Sequence, residues 1–193
     1  MTFGTKKMVR LAMLLSLALI IWTVEMALPV PVAVPGAKLG LANVIILWTV
    51  VSMGLTDALL INVLRAFLGS LLTGTFLNVS FFMSMAGGTA STLVMGLLWI
   101  WARRWVSLVG VSITGAFFHN LAQVLMAFVL IGHRGILIYL PLLLLIAFPT
   151  GLLVGLVVWQ LGRLPALRLA VGESRVSSGG GEEALTCEPT GDS

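Results

Sequence analysis

Long apolar runs separated by short polar stretches dominate the chain between residues 11 and 161. A helix needs roughly 20 mostly apolar residues to cross a bilayer, and six runs approach that length. The predicted helices are 11–28, 39–53, 57–76, 81–101, 106–131 and 136–161. Helix 2 is short, so we expect it to be tilted or to span only part of the membrane. The pattern predicts an all-α integral membrane bundle of about six transmembrane helices.

Composition agrees with this pattern. Hydrophobic residues make up 59% of the 193 residues and charged residues only 9%, whereas a soluble domain is about one quarter charged. The chain therefore lacks the charged surface that a soluble enzyme needs. The net charge of +4 does not indicate nucleic-acid binding, because the basic residues lie at the ends of the apolar runs, where membrane orientation explains them.

The basic residues also predict the orientation of the bundle. If the N-terminus is cytoplasmic, only Lys38 and Arg134 lie in outer loops, and Arg65 falls within a helix. The inner side then holds Lys6, Lys7, Arg10, Arg103, Arg104, Arg163, Arg168 and Arg175. This asymmetry predicts a multi-pass plasma-membrane protein with both termini in the cytoplasm.

Three regions are predicted along the chain. Residues 1–10 form a cytoplasmic N-terminus, residues 11–161 the transmembrane domain, and residues 162–193 a polar, Gly-rich cytoplasmic tail that cannot bury a core and is expected to be disordered. The first run is too long for a signal-peptide core and has no clear cleavage site. The Pro-rich residues 29–36 exclude regular helix and predict a stiff outer loop.

The few polar residues inside the predicted helices are informative, because charged side chains cost about 2.5–3.5 kcal/mol at mid-bilayer. On helix 3, Asn62 and Arg65 share one face, opposite an apolar face suited to lipid. The planar guanidinium of Arg65 suits a carboxylate or phosphate. The alternatives are an ion pair, for example with Glu25, or an arginine that extends to the interface.

Helix 5 repeats this arrangement with His119 and Gln123, and Asn120 lies beside them. A histidine in this setting is either structural or a ligand contact. A metal site is not expected, because His133 is predicted in a loop and Cys187 lies in the tail.

Most of these polar positions map to the outer half of the predicted bundle, with Arg65 just below them. A cluster that opens outward suits capture of an anionic or strongly hydrogen-bonding solute. The predicted substrate-binding residues are Glu25, Lys38, Asn43, Asn62, Arg65, His119, Asn120 and Gln123.

Small residues predict where helices pack closely. Helix 4 carries Ser84, Gly87, Gly88, Ser91 and Thr92, for which packing is the favoured interpretation. Helices 1 and 6 carry small residues four positions apart, namely Ala12 and Ser16 on helix 1 and Gly151 and Gly155 on helix 6.

The run from Pro35 to Asn43, with the sequence PGAKLGLAN, resembles a signature of the Gx transporter family, which is also labelled heptaprenyl diphosphate synthase component I. Further matches are Leu64-Arg65 with Gly69, residues 84–88, residues 115–123, Tyr139-Leu140-Pro141 and Thr150-Gly151. The resemblance covers about residues 11–161.

This family is similar in size and helix number to the S components of energy-coupling-factor transporters. The resemblance implies six helices that hold a solute near the outer face. It also implies that helix 1 contacts a transmembrane coupling protein bound to ATPase subunits, a role that Ala12 and Ser16 would fit. The chain has no G-x-x-x-x-G-K-[ST] loop of its own.

The synthase label leaves an alternative open. Prenyl diphosphate synthases hold magnesium through paired Asp-rich motifs, but this chain has only Asp57 and Asp192. We therefore expect no catalytic residues, no cofactor and no enzymatic activity. The leading hypothesis is a substrate-binding transport subunit. The alternatives are a non-catalytic membrane component of heptaprenyl diphosphate synthesis and a structural membrane subunit without a ligand.

Overall fold

The computed structural model describes residues 4–27, 40–102 and 104–163, and within them it is all-helical. The helices are α1 Thr5–Ala27, α2 Asn43–Ser52, α3 Leu55–Leu72, α4 Val79–Trp101, α5 Leu108–Ile131 and α6 Leu140–Leu161, with a 3₁₀ helix at Arg134–Tyr139. Five of them are long and apolar enough to cross a membrane, and α2 is the shorter sixth. The protein is therefore a multi-pass membrane protein with the predicted all-α fold.

Helix boundaries differ from the prediction by four residues or more at four places. Helix α2 begins at Asn43 and not at residue 39, because a turn precedes it. Helix α1 begins at Thr5, because a helix can continue through basic residues that lie at the membrane surface. Helix α3 ends at Leu72, and Gly74 follows in the left-handed region at φ 64°. Helix α6 begins at Leu140 because Pro141, which has no backbone N–H, suits the first turn of a helix.

Helix α2 lies at the centre of the bundle. It has 10 residues, about 15 Å at 1.5 Å per residue, and so covers about half of a 30 Å hydrocarbon core. Its residues from Asn43 to Val50 are all buried, and α1, α3, α4 and α6 pack around it. The turn before it contacts His119, which is halfway along α5. Helix α2 thus starts deep within the bundle and runs toward the end where α3 begins.

Helices α5 and α6 pack with their backbones in close contact. A Cβ on Gly151 would lie 2.7 Å from Ile113 Cα, and one on Gly155 would lie 2.8 Å from Val109 Cα. The predicted packing role of this small-residue pair is confirmed, because only glycine allows such an approach. On α4, the predicted packing residues Ser84, Gly87, Gly88, Ser91 and Thr92 are all buried.

An ion pair joins the starts of α1 and α3. Lys7 Nζ lies 2.9 Å from Asp57 Oδ1, and the carboxylate side is the more buried. This contact places the basic start of α1 and the start of α3 at the same end of the bundle. Residues 164–193 of the predicted tail, which include Arg168, Arg175 and Cys187, lie outside the described residues, as do Lys38 and Arg103.

Candidate functional site

Seven of the eight predicted substrate-binding residues are buried in the bundle, each at most 5% exposed. They are Glu25, Asn43, Asn62, Arg65, His119, Asn120 and Gln123. The eighth, Lys38, lies outside the described residues. The predicted lipid-facing residues of α3 are exposed, with Leu60 at 41% and Phe67 at 41%. The polar face of α3 therefore lies toward the bundle and its apolar face lies outward, as the spacing of its residues predicts.

The Glu25 carboxylate connects α1 to the turn that precedes α2. Its Oε1 accepts a hydrogen bond of 2.6 Å from the Gly40 backbone N–H. Gly40 has φ +79°, a conformation that favours glycine. A Cβ there would also lie 2.9 Å from Asn43 Nδ2 and 3.5 Å from His119 Nε2. Gly40 thus brings Glu25, Asn43 and His119 to one place.

Arg65 and Asn62 form the α3 side of the site. The Arg65 Nη2 donates to Asn62 Oδ1 at 2.9 Å, and the guanidinium also interacts electrostatically with Glu25. Asn62 Nδ2 donates to Thr89 Oγ1 of α4 at 3.4 Å. The Asn62 side chain fills the space where Gly88 has no Cβ. Arg65 is therefore held by the amide oxygen of Asn62.

His119 and Gln123 form the α5 side. Their side chains are one helical turn apart, with His119 Nε2 and Gln123 Nε2 separated by 3.0 Å. A Cβ on Gly87 would lie 2.6 Å from Gln123 Cγ and 3.3 Å from His119 Cε1. The missing side chain at Gly87 therefore lets both α5 residues lie against α4.

These side chains form a connected group that we call the polar ring. It consists of the side chains of Glu25, Asn43, Asn62, Arg65, His119 and Gln123, together with Gly40, Gly87 and Gly88. Five helices or their adjoining turns contribute to it. Arg65 Nε and Asn43 Oδ1 are buried atoms of the ring that have no hydrogen-bond partner among the described residues.

Asn120 lies outside the polar ring. Its Nδ2 donates to the Leu143 backbone oxygen of α6 at 2.8 Å. Adjacent residues on a helix point about 100° apart, so Asn120 faces α6 while His119 faces the ring. Asn120 could therefore contact a solute in the ring only if the Asn120 side chain broke its hydrogen bond to Leu143.

The glycines of the ring were not predicted as site residues. The sequence pattern predicts Gly87 and Gly88 only as packing residues, and Gly40 only belongs to the motif that carries the family resemblance. The sequence signal that points to them is the position of Gly87 and Gly88 in the middle of a membrane helix. Glycine at such a position permits neighbouring side chains to approach closely.

The predicted partner-contact residues Ala12 and Ser16 are exposed on α1. They line an open groove of about 450 Å³ with Val9, Met13 and Leu17. The Ser16 hydroxyl donates to the Ala12 backbone oxygen at 2.9 Å, so it is satisfied within the helix. The groove therefore presents an almost entirely apolar surface.

Among residues 4–27, 40–102 and 104–163, no group of three or more His, Cys, Asp or Glu side chains is placed to hold a metal ion. The arrangement in the ring is one of opposite charges, amides and an imidazole, all suited to binding by hydrogen bonds.

Comparison with known protein families finds a match over most of the chain. The family model of heptaprenyl diphosphate synthase component I matches residues 14–161. No curated protein and no solved structure matches the chain. The match spans the helices that build the polar ring and most of α1. On this evidence, the protein belongs to the heptaprenyl diphosphate synthase component I family.

Proposed function

We propose that the protein is a membrane-embedded substrate-binding subunit that takes up a small solute with an anionic or hydrogen-bonding group. The observation that supports this most is the polar ring. Burying so many polar side chains in a membrane protein is costly unless they bind one another or a ligand. Arg65 Nε and Asn43 Oδ1 have no such partner among the described residues, and a solute would supply it.

In this proposal the chain lies in the plasma membrane as a single transmembrane domain, residues 11–161, with both termini and the tail in the cytoplasm. The Lys and Arg asymmetry supports this orientation. The solute then enters from the side of the membrane at which α1 ends. The predicted topology places Lys38 in a loop on that same side.

An energy-coupling transmembrane protein with ATPase subunits would drive release. The groove that contains Ala12 and Ser16 is the proposed contact, because small residues allow close helix approach in lipid. The chain itself then performs no chemistry.

A second candidate rests on the family description. In that case the protein is a non-catalytic membrane component associated with heptaprenyl diphosphate synthesis. The discriminating measurement is the activity of a purified soluble prenyl diphosphate synthase with and without this chain in vesicles. A rise in turnover would favour this candidate, whereas unchanged turnover would leave solute binding as the better account.

Mass spectrometry of small molecules that co-purify with the full chain tests the main proposal. We expect a solute with the unmutated protein and its loss, by at least about tenfold, in Arg65→Ala, because a hydrogen bond to a charged group contributes about 1.5–3 kcal/mol. Arg65→Lys keeps the charge but removes Nε and the planar fork, so it tests binding in a protein with the buried charge intact.

The matched control is Leu60→Ala, on the exposed face of the same helix. It should retain the solute. The proposal would be contradicted if no solute co-purified with the unmutated protein. It would also be contradicted if both Arg65 variants retained as much solute as the unmutated protein.

A further inference from the structure

A cavity of about 370 Å³ lies at the end of the bundle where α5 begins and α6 ends. Its lining includes Trp48 and Val51 of α2, Leu108 of α5, and Trp159 and Arg163 at the end of α6. The Lys7–Asp57 ion pair lies at the same end, because α2 runs toward the start of α3. In the proposed orientation, this end of the bundle lies at the inner leaflet of the membrane.

Arg163 is the charged side chain of this lining. Its Cζ lies 3.6 Å from the centre of the Trp159 ring. A guanidinium at this distance lies over the face of the ring, and its N–H donors lie in its own plane, so the stack leaves them available. Trp159 therefore orients the cation beside the cavity without using its hydrogen-bond donors.

The described part of the chain offers no carboxylate to Arg163. Its carboxylates are Glu25, which binds the Gly40 N–H, and Asp57, which pairs with Lys7. The basic residues described at this end of the bundle are Lys6, Lys7, Arg10, Arg104 and Arg163. A negative partner for Arg163 therefore has to come from outside the described residues, and an anionic lipid of the surrounding membrane supplies one.

The other lining residues suit the rest of a lipid molecule. Val51 and Leu108 offer apolar surface to an acyl chain, and tryptophan rings favour the level of the lipid headgroups. Trp48 is 8% exposed and Trp159 is 44% exposed, so the aromatic lining extends from inside the bundle to its surface. A free phosphate ion would gain nothing from apolar walls, whereas a phospholipid joins a phosphate to apolar chains.

From these observations we propose that the cavity binds one anionic phospholipid. Its phosphate contacts the Arg163 guanidinium, whose donors can bind two oxygens at once, and an acyl chain lies along Val51 and Leu108. The lining shares no residue with the polar ring, so this lipid site does not depend on the proposed solute binding.

Native mass spectrometry of the full chain in detergent tests the proposal with anionic phosphatidylglycerol and zwitterionic phosphatidylcholine. The measured quantity is the dissociation constant of the first lipid bound. We expect the unmutated protein to bind phosphatidylglycerol more tightly than phosphatidylcholine. Arg163→Gln should weaken phosphatidylglycerol binding by about fivefold, the size expected for one partly exposed ion pair. Inorganic phosphate should not displace the lipid.

Matched variants separate the cavity from the general charge of this end. Arg104→Gln removes a positive charge outside the lining and should leave the affinity for phosphatidylglycerol unchanged. Val51→Trp keeps every charge but fills part of the cavity, and should weaken binding as Arg163→Gln does. These two site variants alter different parts of the site, so either one tests the proposal if the other fails to fold.

The acidic residues Glu182 and Glu183 are the alternative partners of Arg163. Glu182→Gln/Glu183→Gln should leave the lipid affinity unchanged, and a gain in affinity would assign Arg163 to these carboxylates and overturn the proposal. Equal affinity of the unmutated protein for the two lipids would also overturn it. The same holds for an equal effect of Arg104→Gln and Arg163→Gln, for full binding by Val51→Trp, and for displacement of the lipid by inorganic phosphate.

Discussion

Helix α1 and the α5–α6 pair are held to the bundle in different ways. Gly151 and Gly155 let α6 lie directly on the α5 backbone. Helix α1 is the least buried of the long helices. Of an 18-residue apolar stretch in each helix, 17% is buried in α1 and 33–50% in the others. It is attached at separate points, Lys7 to Asp57, Trp22 against Gly69, and Glu25 to Gly40.

This difference shows how helices associate in a membrane. Burying apolar side chains between helices gains little there, because the lipid tails around them are equally apolar. Continuous packing needs small residues that face a neighbour, and the α5–α6 pair has them. The small residues Ala12 and Ser16 of α1 instead face outward, and polar or aromatic contacts hold the other side of α1. The first interface should fail when its space is filled, and the second when its charges are unbalanced.

The largest effect is expected from Gly151→Leu. Because a Cβ at this position meets the Ile113 backbone at 2.7 Å, α6 must move away, and overpacking of this kind costs about 1–3 kcal/mol or more. We expect loss of the monodisperse folded protein, or a clearly lower melting temperature, in detergent. Gly4→Leu, at a position with open space around it, should leave both measurements unchanged. Equal stability of the two variants would refute the close α5–α6 packing.

An intermediate effect is expected from Glu25→Ala. Removing the carboxylate leaves the Gly40 backbone N–H without its acceptor, and an unpaired buried donor costs about 1–3 kcal/mol. It also takes away the negative charge that acts on Arg65. Thermal unfolding should therefore occur at a lower temperature. The double variant Glu25→Ala/Arg65→Leu should recover part of the loss because no isolated charge remains. If the loss of stability in the double variant equalled the sum of the losses in Glu25→Ala and Arg65→Leu, the two side chains would not act as a pair.

The smallest effect on stability is expected from Ala12→Leu. Ala12 is exposed and lines the open groove, so the free energy of unfolding should change by no more than about 0.5 kcal/mol. In the proposed function this leucine blocks the approach of a coupling protein, so transport in cells should fall although binding to the purified chain persists. Leu17→Ala, which removes bulk from the same groove, is the control that should not block contact.

Much of the site could be predicted from residue spacing. The period of a helix places Asn62 and Arg65 on one face of α3, and it places His119 and Gln123 on one face of α5. Both pairs are buried as expected. Asn120 shows the limit of this method, because a neighbouring position in sequence points to a different helix, and only its bond to Leu143 reveals that.

The amino-acid sequence by itself determined that the chain forms a membrane bundle of helices, because long apolar runs have no stable alternative once their backbone must be satisfied in lipid. It also determined which faces are polar. Only the tertiary structure decided that α2 starts in the middle of the bundle and that Glu25 meets Gly40 there. Such contacts join residues from different helices, and their geometry depends on how the helices pack, which the periodicity of a single helix does not contain.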